Sequence, residues 1–289
     1  MSKLSIFSKS KTLLVNELCK QIELDVLEGN SFSSTILSKD RVYPDVYFHS
    51  GSIDTAAIDL IQNSKKTIVN SHSAKNDILN KTEVAESKID VIYPAIKKTV
   101  IKPKDARANL NQELELDKKT RIIFFTARNL KTNGVKELFD TLLSLRNDNY
   151  KVIISSDSEQ ITALKFQIAK YKMADKVIFY EDFKNMDLLY AACDIFILPT
   201  YVKNFSLNIL KAMSYKSAVF ISAHNSSREI VDVFATMSSP SDPNTSFKVD
   251  ALLENADDLK LIKKQNAKTS KEFYINKQIK KLLASLNIT

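Results

Sequence analysis

Residues 203–217, KNFSLNILKAMSYKS, follow the apolar run IFILPT and have the character of a loop entering a helix beneath the end of a buried strand. The start of such a helix presents unsatisfied backbone N–H groups and the positive end of the helix dipole, which together suit an anion. Ser206 is placed to cap this helix, which would leave the N–H groups of Leu207, Asn208 and Ile209 for a ligand. Lys203 and Lys211, eight residues apart, add two cations, although long lysine side chains also reach readily into solvent. Another strand end carries Arg128. His49 follows the DVYF run at 45–48, where it could act as a proton donor or acceptor or serve as a structural histidine. The chain has only three glycines (Gly29, Gly51 and Gly134), so a phosphate site here must rely on helix N-termini and side chains. No His, Cys and Asp spacing suggests a metal site.

Positioning these residues takes a framework of strands whose ends converge. In the second half, continuous apolar runs alternate with helix-like stretches. RIIFFTA (121–127), KVIISS, KVIFY, IFILPT and SAVFIS read as strands, and residues 135–145, 158–171, 186–192 and 207–215 read as helices. This alternation predicts right-handed βαβ units in a doubly wound parallel sheet, with ligands outside the C-terminal strand ends. Those ends are residues 127–131, 155–158, 180–183, 199–205 and 223–227. The first half alternates more sparsely: LSIF, a helix at 12–22, DVYF, a helix at 54–63, KTIVN, the helical AKNDILNK and IDVIYP. Residues 95–118 lose periodicity and gather charge, as a linker would. The C-terminal DLKLIKKQNAKTSKEFYINKQIKKLL is lysine-dense with helical apolar spacing. It reads as an amphipathic helix with two fates, docking on the body or lying on an anionic lipid surface.

The formal charge of +8 is carried almost wholly by lysine. Such a balance attracts polyanions or anionic membranes, yet neither aromatic platforms nor a basic recognition helix points to nucleic acid. Cys19 and Cys193 suit a reducing compartment, and no run approaches the ~20 apolar residues of a membrane span, so a cytoplasmic setting is expected.

With the strand ends in place, residues 121–231 resemble the donor-binding domain of the family 4 glycosyltransferases. The resemblance is carried in order by FFTARNLKTNGVKELFDTL, VIFYEDFKNMDLLYAACDIFILPT and NFSLNILKAMSYKSAVFIS. It implies a GT-B-like fold: two Rossmann-like, doubly wound parallel α/β domains facing a cleft. Here the N-terminal domain looks reduced, because residues 51–65 stand where the family has a helix, a further strand and a loop. The expected division is a reduced N-terminal domain (1–97), a linker (98–118), a nucleotide-sugar-binding domain (119–270) and a C-terminal helix (271–289).

What the resemblance implies for the site follows position by position. Arg128 takes the place of the family's diphosphate-binding arginine. The companion lysine aligns with Asn133, with Lys131 two residues earlier able to substitute, and Gly134 is the motif's retained glycine. Lys203 and Lys211 stand where the family has two glutamates, and Asn204 and Ser206 replace its glycines, while Phe205 and Leu207 keep the packing. His224, Asn225 and Ser226 replace a Gly-Gly turn beside the sugar, and His49 is the candidate catalytic residue. The activity implied is retaining transfer of a sugar from a nucleotide donor, without cofactor or metal, to a glycan, lipid or protein acceptor in envelope or surface glycan synthesis, with peripheral membrane contact. The two lysines leave open a second reading, a GT-B-like binding or scaffold module that has lost catalysis.

Overall fold

The computed structural model describes residues 3–27, 42–98 and 100–288. The chain forms two units, one of Met1–Lys97 with Glu272–Thr289 and one of Lys98–Lys271.

In the first unit, strand β1 (Leu4–Ser8) leads to helix α1 (Leu13–Gln21), whose first turn is capped by the Thr12 hydroxyl accepting from Val15 N–H at 3.2 Å. Strands β2 (Leu24–Leu27) and β3 (Val46–Phe48), helix α2 (Thr55–Asn63), strand β4 (Lys66–Val69), helix α3 (His72–Lys81) and strand β5 (Ile89–Val91) follow. The strands pair in parallel in the order β2-β1-β3-β4-β5, the flavodoxin-like winding, which reverses between β1 and β3. Helix α2, capped by Asp54, runs almost directly into β4, so residues 51–65 hold a helix and no strand. Strand β2 lacks an apolar alternation and is not apparent from the sequence.

The lysine-dense C-terminus is two helices rather than one. The break falls at Lys271–Phe273, where the backbone is drawn into a parallel bridge: Ile96 N–H donates to Phe273 O at 3.0 Å and Ile275 N–H to Ile96 O at 2.9 Å. The last helix, Ile275–Ser285, buries Ile279 and Leu282 against Ile6, Leu14, Leu18 and Val46. Its apolar face is therefore docked, at roughly 1.5–3 kcal/mol per large side chain buried.

The second unit opens with helix α4 (Pro103–Glu113) inside the stretch expected to be a linker. Only Ala106 and Leu110, one turn apart, are buried, too narrow a stripe to register as periodicity. Then come strand β6 (Arg121–Thr126), helix α5 (Val135–Leu143), strand β7 (Tyr150–Ser156), helix α6 (Ser158–Ile168) and strand β8 (Val177–Glu181). Helix α7 (Met186–Ala192), strand β9 (Ile195–Leu198), helix α8 (Leu207–Ser214), strand β10 (Ala218–Ser222), strand β11 (Thr236–Met237) and helices α9 (Asn244–Glu254) and α10 (Ala256–Ser270) complete it. The parallel order β11-β10-β9-β6-β7-β8 is that of a dinucleotide-binding Rossmann sheet, reversing between β6 and β9. Among the described residues no helix is long and apolar enough to cross a membrane.

One buried carboxylate joins the N-terminal ends of these strands. Asp194, just before β9, accepts from Ile122 N–H of β6 at 3.0 Å, from Arg107 of α4 at 2.8 Å and from Lys263 of α10 at 2.8 Å. Burial opposes its ionisation, yet Lys263 and Arg107 hold its carboxyl below the ordinary aspartate range. Asp194→Asn keeps the shape but strands two cations, and should cost about 3–5 kcal/mol. Chemical denaturation would show this as a lower midpoint, and an unchanged midpoint would refute the role.

Candidate functional site

A cavity of about 320 Å³ opens at the C-terminal ends of β6, β7 and β8, beside the point where the winding reverses. Arg128, exposed just past β6, and Lys211 of α8 both line it, with Ser155, Ser156, Asp182, Phe183, Met186, Tyr190 and Asn208. Two residues predicted from sequence thus meet in one space although they stand 83 positions apart in the chain. Lys211 Nζ lies 3.6 Å from Asp187 and 5.8 Å from the centre of the Tyr190 ring. Both members of the ion pair are more than a third exposed, so the pair is weak, about 1 kcal/mol or less, and a phosphate can compete for the lysine.

The loop bearing Arg128 is built by side chains where glycines are missing. Gln160, in the first turn of α6, donates to Arg128 O at 3.0 Å and accepts from Leu130 N–H at 2.7 Å. Asn129 accepts from Thr132 N–H at 2.9 Å, and Asn133 Nδ2 donates to Asn129 O at 2.8 Å. The Asn133 carbonyl accepts from Thr200 Oγ1 at 2.8 Å, so this side chain ties the loop to the end of β9 and is not directed at a ligand. Lys131 lines a separate depression of about 660 Å³ with Lys136, Glu137 and Tyr201, and does not substitute beside Arg128. Gly134 starts α5 at φ +82°, and a Cβ there would lie 1.9 Å from Pro199 O. It meets two demands at once, a left-handed backbone and close approach to the end of β9.

The other candidates serve mainly to hold the loop after β9. Asn225 is buried and donates to Val202 O and Asn204 O, both at 2.7 Å, while Ser226 N–H and Oγ donate to Lys203 O at 2.8 and 3.0 Å. Asn225 and Ser226 therefore position the Lys203–Asn204 backbone rather than face a sugar, and His224 beside them is exposed. Ser206 occupies the N-cap position of α8, but its side chain makes no capping bond; its N–H donates to Ser227 Oγ at 2.6 Å. Ile209 N–H is spent on Ser206 O at 3.2 Å, so the helix start offers fewer free N–H groups than the sequence suggests. Lys203 is exposed and, like Asn204, Phe205 and Leu207, does not line the Arg128 cavity.

Asn208 was missed. It donates to Thr126 O at 3.1 Å and lines the cavity three residues before Lys211, on the same helix face. That spacing was the available signal. Tyr190 was missed because an apolar-helix tyrosine reads as core, which it also is, packing edge-on to Phe124 at 5.1 Å.

His49, in the first unit, is buried, with Nδ1 3.1 Å from the hydroxyl of Tyr47. Burial, reinforced by Lys9 and opposed by Asp54, pushes its pKa down to about 4, so the ring is neutral at physiological pH. This is the setting of a hydrogen-bonded core histidine.

These features define a class: two parallel α/β units, the second with a cation-lined cavity at its switch point. Residues 106–272, more than half of the sequence, match the family model for glycosyl transferases group 1, and the chain belongs to that family. Among solved structures, a glycosyltransferase from Rickettsia africae superposes with a TM-score of 0.74 at 17% identity, over 96% of this chain and 82% of that one. Anabaena Alr3699/HepE, in complex with UDP and glucose, gives 0.76 at 16% identity over 94% and 80%. Sucrose-phosphate synthase from Thermosynechococcus elongatus gives 0.74 at 14% over 98% and 74%. At these identities the likeness shows the shared GT-B fold. No curated protein matches the sequence significantly.

Two expectations follow. Gly134→Ala should destabilise the fold by about 2–4 kcal/mol, from backbone strain plus the clash, read as a lower unfolding midpoint. For His49, whose folded pKa lies below the unfolded value near 6.5, the stability contribution is full above that value and is lost as pH falls toward 4. Its imidazole proton signals in NMR should titrate near pH 4, and a midpoint near 6.5 would contradict the burial argument.

Proposed function

We propose that the chain is a glycosyltransferase that binds a nucleotide-sugar donor at the Arg128 cavity. The observation that carries this reading is the convergence of Arg128 and Lys211 on one space at the switch point of a group 1 transferase domain. Cleaving a sugar–phosphate bond leaves negative charge on the departing diphosphate. An arginine fork can grip two of its oxygens while a lysine adds a mobile point charge, work that protein cations perform in place of a metal ion. The UDP held by the Anabaena relative supports a nucleotide as the ligand class. Arg128 contacts the diphosphate in this scheme, with Gln160 and Asn133 as positioning residues. Within the same proposal fall family 4 membership, retention of configuration, a glycan, lipid or protein acceptor in envelope or surface glycan synthesis, and a cytoplasmic setting.

A second reading, a nucleotide-binding module without transfer, is favoured by one observation. Lys211 is a donor-only group drawn toward Asp187, and the side chains of Asn225, Ser226 and Ser227 are occupied in holding the neighbouring loop.

Calorimetry with UDP-, GDP- and ADP-sugars tests both. One donor should bind, and Arg128→Ala should weaken it by about 10- to 100-fold, as expected for a charge-assisted pair. Absence of binding by every nucleotide overturns the proposal; binding insensitive to Arg128→Ala overturns the site. Donor binding without turnover over a panel of acceptors would select the second reading.

A further inference from the structure

The strongest charged surface outside this cavity lies at the opposite end of the same sheet. A groove of about 880 Å³ runs along α10, and Lys216, Lys260, Lys264, Lys268 and Lys271 line it over a floor that includes Leu259. All five lysines are exposed. No carboxylate lines the groove, and among the described residues none pairs with these five. Arg121 and Lys263 also line it, but they face Asp194 at 4.0 and 2.8 Å and so belong to the wall.

The lysines are ordered. Positions 260, 264 and 268 fall on one stripe of the helix, spanning about 12 Å at 1.5 Å per residue, and Lys271 is its C-cap. The opposite stripe, Leu259, Asn266 and Ser270, is buried in the unit. Leu261 lies on the same helix face as Lys268, two turns and about 10 Å before it, and is 55% exposed. A row of like charges on an exposed face sets up a local positive field that attracts an anionic surface.

The chemistry indicates which surface. A built site for one discrete phosphate uses arginine forks or buried donors, whereas these are flexible ammonium points free to follow moving charges. The exposed leucine at the edge of the stripe suits an interface with an apolar interior below the charge layer. We propose that this face of α10, with Lys216, docks the protein on an anionic lipid bilayer. The docking leaves the donor cavity open: Arg121, the first residue of β6, lines the groove and Thr126, the last, lines the cavity. The two are separated by about 17 Å of strand, so a soluble donor can load while the protein sits on lipid. This proposal does not depend on the nucleotide reading, and neither fails with the other.

Co-sedimentation of the full chain with phosphatidylcholine vesicles, alone or with about one-third phosphatidylglycerol, tests it. Binding is expected only to the anionic vesicles and should be lost near 1 M salt, where the screening length falls to about 3 Å. The variant Lys260→Gln/Lys264→Gln/Lys268→Gln should lower the partition coefficient by about 100-fold. A control with the same charge change at the opposite end of the sheet, Lys131→Gln/Lys136→Gln/Lys184→Gln, should lower it less than about threefold. Thermal midpoints verify that both fold, and Lys216→Gln/Lys271→Gln gives an independent second variant. Equal losses in both triple variants, binding to neutral vesicles, or binding to soluble inorganic polyphosphate with none to vesicles would each overturn the proposal.

Discussion

The second unit depends on the charge buried at Asp194. A carboxylate taken out of water costs several kcal/mol, and only good geometry with several donors offsets that. Here the donors come from three places in the chain, α4, the start of β6 and α10, and the carboxylate itself stands just before β9. Arg107 extends the connection by donating to Ala192 O and Thr120 O, although its buried Nε has no hydrogen-bond partner, so the arrangement is not free of cost. Because β6 and β9 flank the reversal of the sheet, fixing their N-terminal ends in register also fixes where they end. Those ends carry Thr126 and Arg128 on one strand and Pro199 and Thr200 on the other.

The site side is held by a different device. With Gly134 as the one glycine in its loops, the unit replaces backbone freedom with side-chain hydrogen bonds: Gln160 and Asn133 for the first loop, Asn225, Ser226 and Ser227 for the loop after β9. Each bond contributes on the order of 1 kcal/mol, but together they fix two loops. The polar residues at 225 and 226 that look like ligand contacts in the sequence are consumed in this way.

Legibility followed the physics of each signal. The strands of the second unit were plain because burial on both faces gives unbroken runs such as RIIFFT and IFIL. Helix α4 was hidden because it buries only two residues one turn apart, and its Arg107–Asp194 ion pair is an interaction no hydrophobic pattern reports. The break between α10 and the last helix was hidden because it arises from a long-range backbone bridge to Ile96. In the site, Arg128 and Lys211, which line one cavity, were singled out through the family resemblance. Asn208, Asp182 and Tyr190 were not, since their roles come from the convergence of three strand ends in space.

That convergence also settles what lysine at 211 can contribute. An ammonium donates and cannot accept, so acceptors for hydroxyls must come from other lining residues, among them Asp182, Ser155, Ser156, Thr126, Tyr190 and the Asn208 carbonyl. Arg128 and Lys211 against Asp182 leave the lining one charge positive, which favours an anion with more than one negative charge over a neutral sugar ring. Asp182 itself sits at φ +47°, a left-handed backbone that aspartate tolerates better than most residues, with its N–H donating to Ser156 O at 2.9 Å. The carboxylate at the cavity wall is thus carried by a strained turn after β8, not by the helix after β9. The cations of the lining stand on α8 and the β6 loop, and its one carboxylate stands on the loop after β8.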